Sequence, residues 1–176
     1  MCLSPSRYSH SLGVANEARR IAEICGQDSE KAYLAGLLHD CARERPAAEL
    51  ASFVPGFVDP VAFSIPGVLH AFACPEVMKR EFGIYDYSIL RAGFWHATAC
   101  KNATEFDKIV FVADMSEKGR TFHGCSDIRK AIERSLDEAY RTALGNKISY
   151  LLLKKRFIYP ASLEAWNTIN EHNNHS

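Results

Sequence analysis

At 176 residues and 47% hydrophobic composition, the chain has the length of one domain and enough apolar side chains for a real core. Lysine plus arginine and aspartate plus glutamate are equal at 21 each, so a formal net charge of zero excludes a general attraction to nucleic acid or to an anionic membrane. The six cysteines (Cys2, Cys25, Cys41, Cys74, Cys100 and Cys125) form no C-x-x-C pair, and neither a signal-peptide pattern nor a long apolar span is present. Reduced thiols filling core positions of a cytoplasmic protein are expected.

The elements read as one helix after another. Over residues 8–25, His10, Val14, Ala18, Ile21 and Cys25 recur at steps of three or four, which predicts a helix that points His10 inward and stops at Gly26. Asp28 or Ser29 can cap a second helix, with Ala32, Ala35 and His39 on one stripe and Tyr33, Leu37 and Asp40 on the next. Adjacent side chains on a helix are about 100° apart, so His39 and Asp40 can reach one ion between those stripes. This helix is expected to end before Pro46. Four prolines, Pro46, Pro55, Pro60 and Pro66, break the next stretch into short pieces suited to a pocket wall. A long helix follows Pro66-Gly67, carries His70 with Ala73 or Cys74 and Val77 on one face, and stops at Gly83. Asp86 can cap its successor, where Ile89, Ala92 and His96 are spaced by three and four. Phe106, Ile109, Val110 and Ala113 mark a buried helix from about Thr104, with Asp114 on the side of Asp107 and Phe111. The rest predicts helices over about 126–144 and 146–156, a short one after Pro160, and a frayed tail at 172–176 with solvated histidines. Without strand alternation, internal repeat or Gly-rich phosphate loop, the fold class is all-α.

Chemistry concentrates on the order His10, His39-Asp40, Asp114, a nitrogen and oxygen donor set for a divalent ion rather than a thiolate site. A carboxylate at Asp114, inside the apolar run 109–115, needs a partner to offset its desolvation. A lone His-Asp dipeptide arises by chance in many proteins. Four inward-facing histidines and two carboxylates do not, because as core filler each would need its own buried hydrogen-bond partner. His70 and His96 suit a second ion or a phosphate; if two ions bind, Asp40 is the natural bridge. Arg43 and Arg120, surface cations by default, fall close enough to the cluster to hold an anion.

Six segments carry a resemblance: R-Y-S-H-S-L-G-V (7–14), A-G-L-L-H-D (35–40), V-L-H-A (68–71), F-G-I-Y-D (82–86), F-D-K-I-V-F-V-A-D (106–114) and E-K-G-R (117–120). Over about 7–167 the chain is similar to the YqeK family of bacterial HD-domain symmetrical dinucleoside tetraphosphatases. The resemblance implies a single HD-domain helical bundle over 1–176 that hydrolyses diadenosine tetraphosphate to two ADP through metal-activated water. It makes His10, His39, Asp40 and Asp114 metal ligands. His70 and His96 become ligands of a second ion or phosphate contacts, and with Asp40 they form the catalytic group. Arg43, Arg120 and the 156–161 segment, with Arg156 and Tyr159, fall beside the nucleotide. Iron is the implied metal, as one or two ions, with zinc or manganese as alternatives that histidine-rich ligation also suits. The partners are the dinucleotide and its ADP product, with a homodimer as the candidate assembly. Because ADP leaves readily, charge neutralisation by Arg120 or Arg43 matters more than a strong general acid.

Two words depart from the family. His96-Ala97-Thr98-Ala99 stands in place of His-Thr-Thr-Gly, and Lys118 replaces a proline in the E-P-G-R word. The competing readings are an HD phosphohydrolase of alarmones or nucleoside monophosphates, a nucleotide-sensing module without turnover, and a metal-dependent oxygenase. Cys41-Ala42-Arg43-Glu44 after the His-Asp dipeptide, in place of an acidic pair, disfavours the alarmone reading.

Overall fold

The computed structural model describes residues 3–171; Cys2 and the 172–176 tail lie outside them. Among the described residues the chain forms nine α-helices and one short 3-10 helix, with no strand. Helix α1 (Pro5–Cys25) opens with a proline, whose missing N–H costs nothing in a first turn. It closes at Gly26, which takes the left-handed φ of 68° that glycine adopts without steric cost. Helix α2 (Ser29–Leu38) starts at Asp28, whose carboxylate accepts the Lys31 N–H. It ends before Pro46, as its sequence predicts, but already at Leu38, so that His39 and Asp40 lie past its end. At that end the Cys74 thiol, from another helix, lies 3.1 Å from the His39 carbonyl and 3.4 Å from that of Leu38, and its single hydrogen can bond one of them at a time. The chain then tightens into turns, Cys41 N–H to Leu38 O and Arg43 N–H to Asp40 O. His39 and Asp40 are therefore a helix cap and a turn residue, not neighbours on a helical face.

The proline-rich stretch becomes α3 (Ala47–Phe53) and the 3-10 helix at Pro60–Ser64. Helix α4 (Pro66–Phe82) ends at Gly83, φ 64°, and α5 (Tyr87–Trp95) begins at Asp86, whose side chain accepts from Ser88 and Ile89. Thr104 and Asp107 form a reciprocal capping box at the start of α6 (Glu105–Ser116). The C-terminal helices are α7 (Cys125–Ile132), α8 (Leu136–Leu153) and α9 (Pro160–Asn170). The break expected near Gly145 falls instead before Ser135, which N-caps α8 by accepting the Glu138 N–H. Gly145 stays helical, and the Trp166 ring of α9 lies 3.0 Å from where its Cβ would project, so the residue serves packing rather than chain termination.

Helix α6 is buried on every side, with Ile109, Val110, Phe111, Val112 and Ala113 all at or near zero exposure. Ile109 and Phe111 join a core with α1, α7, α8 and α9, while Val110 joins a second core built by α2 to α5. The described cysteines are all free thiols; four are buried core residues and Cys25 is half-buried. Helices α1 and α2 approach so closely that a Cβ on Gly36 would stand 2.9 Å from both the Ala15 Cα and the Val14 carbonyl oxygen.

Two outcomes follow from the backbone. Gly36→Ala is expected to force α1 and α2 apart and to destabilise the fold by about 1–3 kcal/mol, read by denaturant unfolding; an unchanged midpoint would refute the close approach. Ala99 holds a left-handed φ of 64°, at the position where the family word carries glycine. Ala99→Gly should relieve that strain, on the order of 1 kcal/mol, and raise the melting temperature.

Candidate functional site

Five elements converge on one buried cluster. His10 comes from α1, His39 and Asp40 from the end of α2, His70 from α4, His96 from the end of α5 and Asp114 from the last turn of α6. His39 and His96 are placed by the same device. Each follows the last residue of its helix, so the carbonyl three residues back has no helical N–H and accepts from the imidazole instead. Nδ1 of His39 lies 2.7 Å from the Gly36 oxygen and Nδ1 of His96 lies 2.7 Å from the Gly93 oxygen. A carbonyl only accepts, so Nδ1 carries a hydrogen in both rings and each Nε2 faces the cluster. His10 Nδ1 lies 3.2 Å from Glu117 Oε1, which fixes the same tautomer from a third direction.

The donor atoms fall into two overlapping groups. One atom each from His10, His39 and Asp114 lie within 4.8 Å of one another, as do one each from His39, Asp40 and His96. Asp40 faces both ways: its Oδ1 is 2.9 Å from His70 Nε2 and 3.4 Å from His96 Nε2, while its Oδ2 is 3.8 Å from His39 Nε2. Nε2 of His39 is fully buried and has no hydrogen-bond partner. An acceptor left so costs about 1–3 kcal/mol, and a cation would satisfy it. His10 Nε2 and Asp114 Oδ1 are 3.1 Å apart, so either a proton on the imidazole or a metal ion lies between them. The residues present therefore fit a divalent metal.

At His39, His70, Asp40 and Asp114 protonation is in the ligand form. Burial pulls the His39 pKa below its ordinary value and pushes His70 down to about 4, so both imidazoles are neutral at neutral pH. Burial pushes Asp40 and Asp114 the other way. It is overcome by His39, His70 and His96 around Asp40 and by His10, His39 and Arg120 around Asp114, so both carboxylates stay ionised. For His10 burial acts downward, but the hydrogen bond and charge of Asp114 outweigh it and the pKa rises.

Arginines surround the cluster. Arg43 Nη1 lies 3.0 Å from His70 Nδ1, Arg7 Nη1 lies 3.1 Å from Asp40 Oδ2, and Arg120 pairs with the Asp114 carboxylate while its Nε donates to the Asp114 carbonyl at 2.7 Å. Lys118 is exposed and leaves Arg120 in place. Asp107, on the same helix as Asp114, takes no part: it pairs with Arg91 at 2.7 Å and caps α6. Arg156 is exposed, with its guanidinium 5.9 Å from the Tyr150 ring, and touches none of the cluster. Tyr159 lies 5.2 Å from the Phe72 ring and lines a separate cavity of about 250 Å³ with Phe57, Phe94 and Trp95. The expected pocket wall is thus in part observed, since Phe57, Val58 and Asp59 form one side of that cavity. Two roles were not assigned from sequence, the Arg7 contact to Asp40 and the Glu117 contact to His10, although both residues fall inside motif words.

Residues 7–119 match the HD domain model. The chain is 32% identical to the symmetrical bis(5'-nucleosyl)-tetraphosphatase of Bacillus subtilis over 94% of this chain and 90% of that protein. It belongs to the HD-domain family, in the YqeK branch. A second relative of the same name, from Halalkalibacterium halodurans, is 32% identical over 95% of this chain and 90% of its own length. The crystal structure of a predicted HD superfamily hydrolase involved in NAD metabolism from Clostridium acetobutylicum superposes with a TM-score of 0.91 at 34% identity, covering 97% of this chain and 92% of that one. The family's defining dipeptide is His39-Asp40, and the geometry explains the pairing: the helix end orients the imidazole while the following turn swings the carboxylate to its other side.

Removing the Glu117 carboxylate frees the His10 ring from its second hydrogen bond. Glu117→Ala is expected to weaken divalent-metal affinity by roughly 10–100-fold with helical content unchanged, measured by titration against a chelator of known affinity. Unaltered affinity would remove Glu117 from the site.

Proposed function

We propose that this chain is a metal-dependent symmetrical hydrolase that splits diadenosine tetraphosphate into two molecules of ADP. The observation that carries the reading is the pair of donor groups sharing His39 and flanking the two-faced Asp40, with arginines on either side, in a chain that aligns along nearly its whole length with symmetrical tetraphosphatases. His10, His39, Asp40 and Asp114 would hold one ion. His70 and His96, with the Oδ1 face of Asp40, would hold a second ion or the attacked phosphate. Iron is the ion proposed, since an imidazole-rich set with carboxylates suits it better than magnesium; zinc and manganese are the alternatives to test. A bound divalent ion supplies an acidified water and Lewis-acid polarisation of the phosphoryl oxygens.

The remaining work belongs to side chains. The water oxygen forms a bond to one of the two central phosphorus atoms, the bridging P–O bond breaks, and the bridging oxygen departs with the electron pair on the second ADP. Arg120 and Arg43 neutralise charge on the phosphate oxygens as it accumulates. The aromatic cavity beside Tyr159 and the nearby 156–161 segment, with Arg156, are proposed to flank the nucleoside. Residues 1–176 are proposed to act as one unit on a small-molecule nucleotide in the cytoplasm, as a monomer or homodimer. Among the described residues no helix is long and apolar enough to cross a membrane.

Metal-loaded protein incubated with diadenosine tetraphosphate in water enriched with heavy oxygen should yield ADP alone, one molecule of each pair carrying a single label on its terminal phosphate. ATP with AMP would overturn the symmetrical reading. Asp114→Ala should lose bound metal and turnover together while keeping its helices, as elemental analysis and circular dichroism would report; full metal occupancy with normal turnover would exclude Asp114 as a ligand.

A further inference from the structure

Helix α8 turns an apolar stripe, Tyr140, Ala143 and Leu144, into the core, and the next position on that stripe is Lys147. Its ammonium lies 5.1 Å from the centroid of the Phe111 ring on α6. Phe111 precedes Asp114 by three residues on α6, and Asp114 is the charge that acts most strongly on Lys147. Arg7, Arg43 and Arg120 are each held by a residue of the metal-ligand cluster, whereas Lys147, among the described residues, has neither hydrogen bond nor ion pair.

A lysine that merely covers apolar surface extends its head into water. The Lys147 head instead turns back over the Phe111 ring, and the residue is only partly exposed. Burial pulls its pKa down to about 8, and the charges it senses are Asp114 and Asp40, which attract it, and Arg120 and Arg43, which repel it. Arg43 after α2, Arg120 after α6 and Lys147 on α8 thus come from three separate elements to face Asp40 and Asp114, both of them metal-ligand candidates, with Glu117 a further carboxylate 4.0 Å from Arg120. Such crowding of like charge costs folding stability and is compensated when a polyanion arrives.

We infer that Lys147 is a further catalytic residue, one whose ammonium binds the phosphate oxygens of the dinucleotide and neutralises the departing nucleoside diphosphate. The inference rests on the hydrolase reading above. No bond of Lys147 is made or broken; it stays an ammonium while the bridging oxygen takes up negative charge, and its three N–H donors reach phosphate as a point charge.

The decisive variant is Lys147→Met, which keeps the stem against Phe111 and removes the charge. On metal-loaded protein, metal content should be unchanged and the melting temperature at neutral pH equal to or above wild type, because a crowded cation has been removed. ADP binding, read by calorimetry, should weaken by about tenfold or more, and kcat/KM for diadenosine tetraphosphate should fall by about 10²–10³, the loss typical of one electrostatic donor at a transition state. Lys147→Arg, which restores the charge, should recover a large part of both. A Lys147→Met protein that binds ADP and turns over within about threefold of wild type overturns the inference, as does one that melts lower and loses metal, which would make Lys147 a packing residue. If wild type itself produces no ADP from the dinucleotide, the hydrolase reading fails; the ADP-binding comparison still decides Lys147, and equal affinity in variant and wild type rejects it.

Discussion

Two ionised carboxylates, Asp40 and Asp114, stand inside a largely apolar interior within reach of four imidazoles, and the rest of the structure is arranged around that charge. A buried carboxylate is tolerated only when positive charge or several hydrogen bonds surround it. Burial also pulls the pKa of His39 and His70 down, which leaves them at neutral pH as hydrogen-bonding and dipolar partners of the carboxylates more than as full counter-ions. The electrostatic deficit falls to arginines at the rim and to whatever cation the inward-facing Nε2 atoms coordinate. The conjunction of neutral imidazoles with ionised carboxylates, and the fully buried His39 Nε2 without a partner, mark a metal centre better than the histidine count does.

Helix termini give the centre its precision. Ending α2 at Leu38 and α5 at Trp95 frees one carbonyl each, and these two carbonyls orient His39 and His96 more rigidly than a flexible side chain could. Glycine at the position of each freed carbonyl allows close packing at the same point: a Cβ on Gly36 would strike the α1 backbone, and one on Gly93 would stand 2.6 Å from the Met78 methyl. Local sequence, helix boundary and ligand tautomer are therefore one feature seen at three levels.

Much of this was legible in the chain. Caps at Gly26, Gly83, Asp86 and Thr104 are local chemistry, and the structure has them where the sequence placed them. His10, His39, Asp40, His70, His96 and Asp114 were legible from periodicity and motif order, and they do come together. What escaped depends on contacts between distant segments. The turn after α2 packs against a thiol 35 residues away from His39 in sequence, and Gly145 packs against a tryptophan on α9. Glu117 joins the site only because the chain after α6 folds back onto α1, bringing together side chains 107 residues apart. Lys147 escaped for another reason: a lysine on an apolar stripe reads as a snorkelling surface residue until the packing of α8 on α6 shows where its head lies.

The arginines tie metal binding to substrate binding. Arg120 bonds Asp114 Oδ1, the oxygen that also lies 3.1 Å from His10 Nε2 and 3.9 Å from His39 Nε2. Arg43 lies 3.2 Å from His70 Nε2, and Arg7 reaches Asp40 Oδ2. Each guanidinium thus addresses an atom that an ion would also claim. Coordination and these ion pairs compete for the same oxygens and nitrogens, so an ion that takes Asp114 Oδ1 reduces the hold of that carboxylate on Arg120. A guanidinium so released keeps its charge and its planar fork of donors, and the nearest use for both is a phosphate. By linkage, the cation and the polyanion then strengthen each other's binding, since each makes room for or neutralises the charge of the other. A site built this way favours a ligand that carries several adjacent phosphates over one that carries a single charge, because only the former can engage more than one of the displaced cations at once.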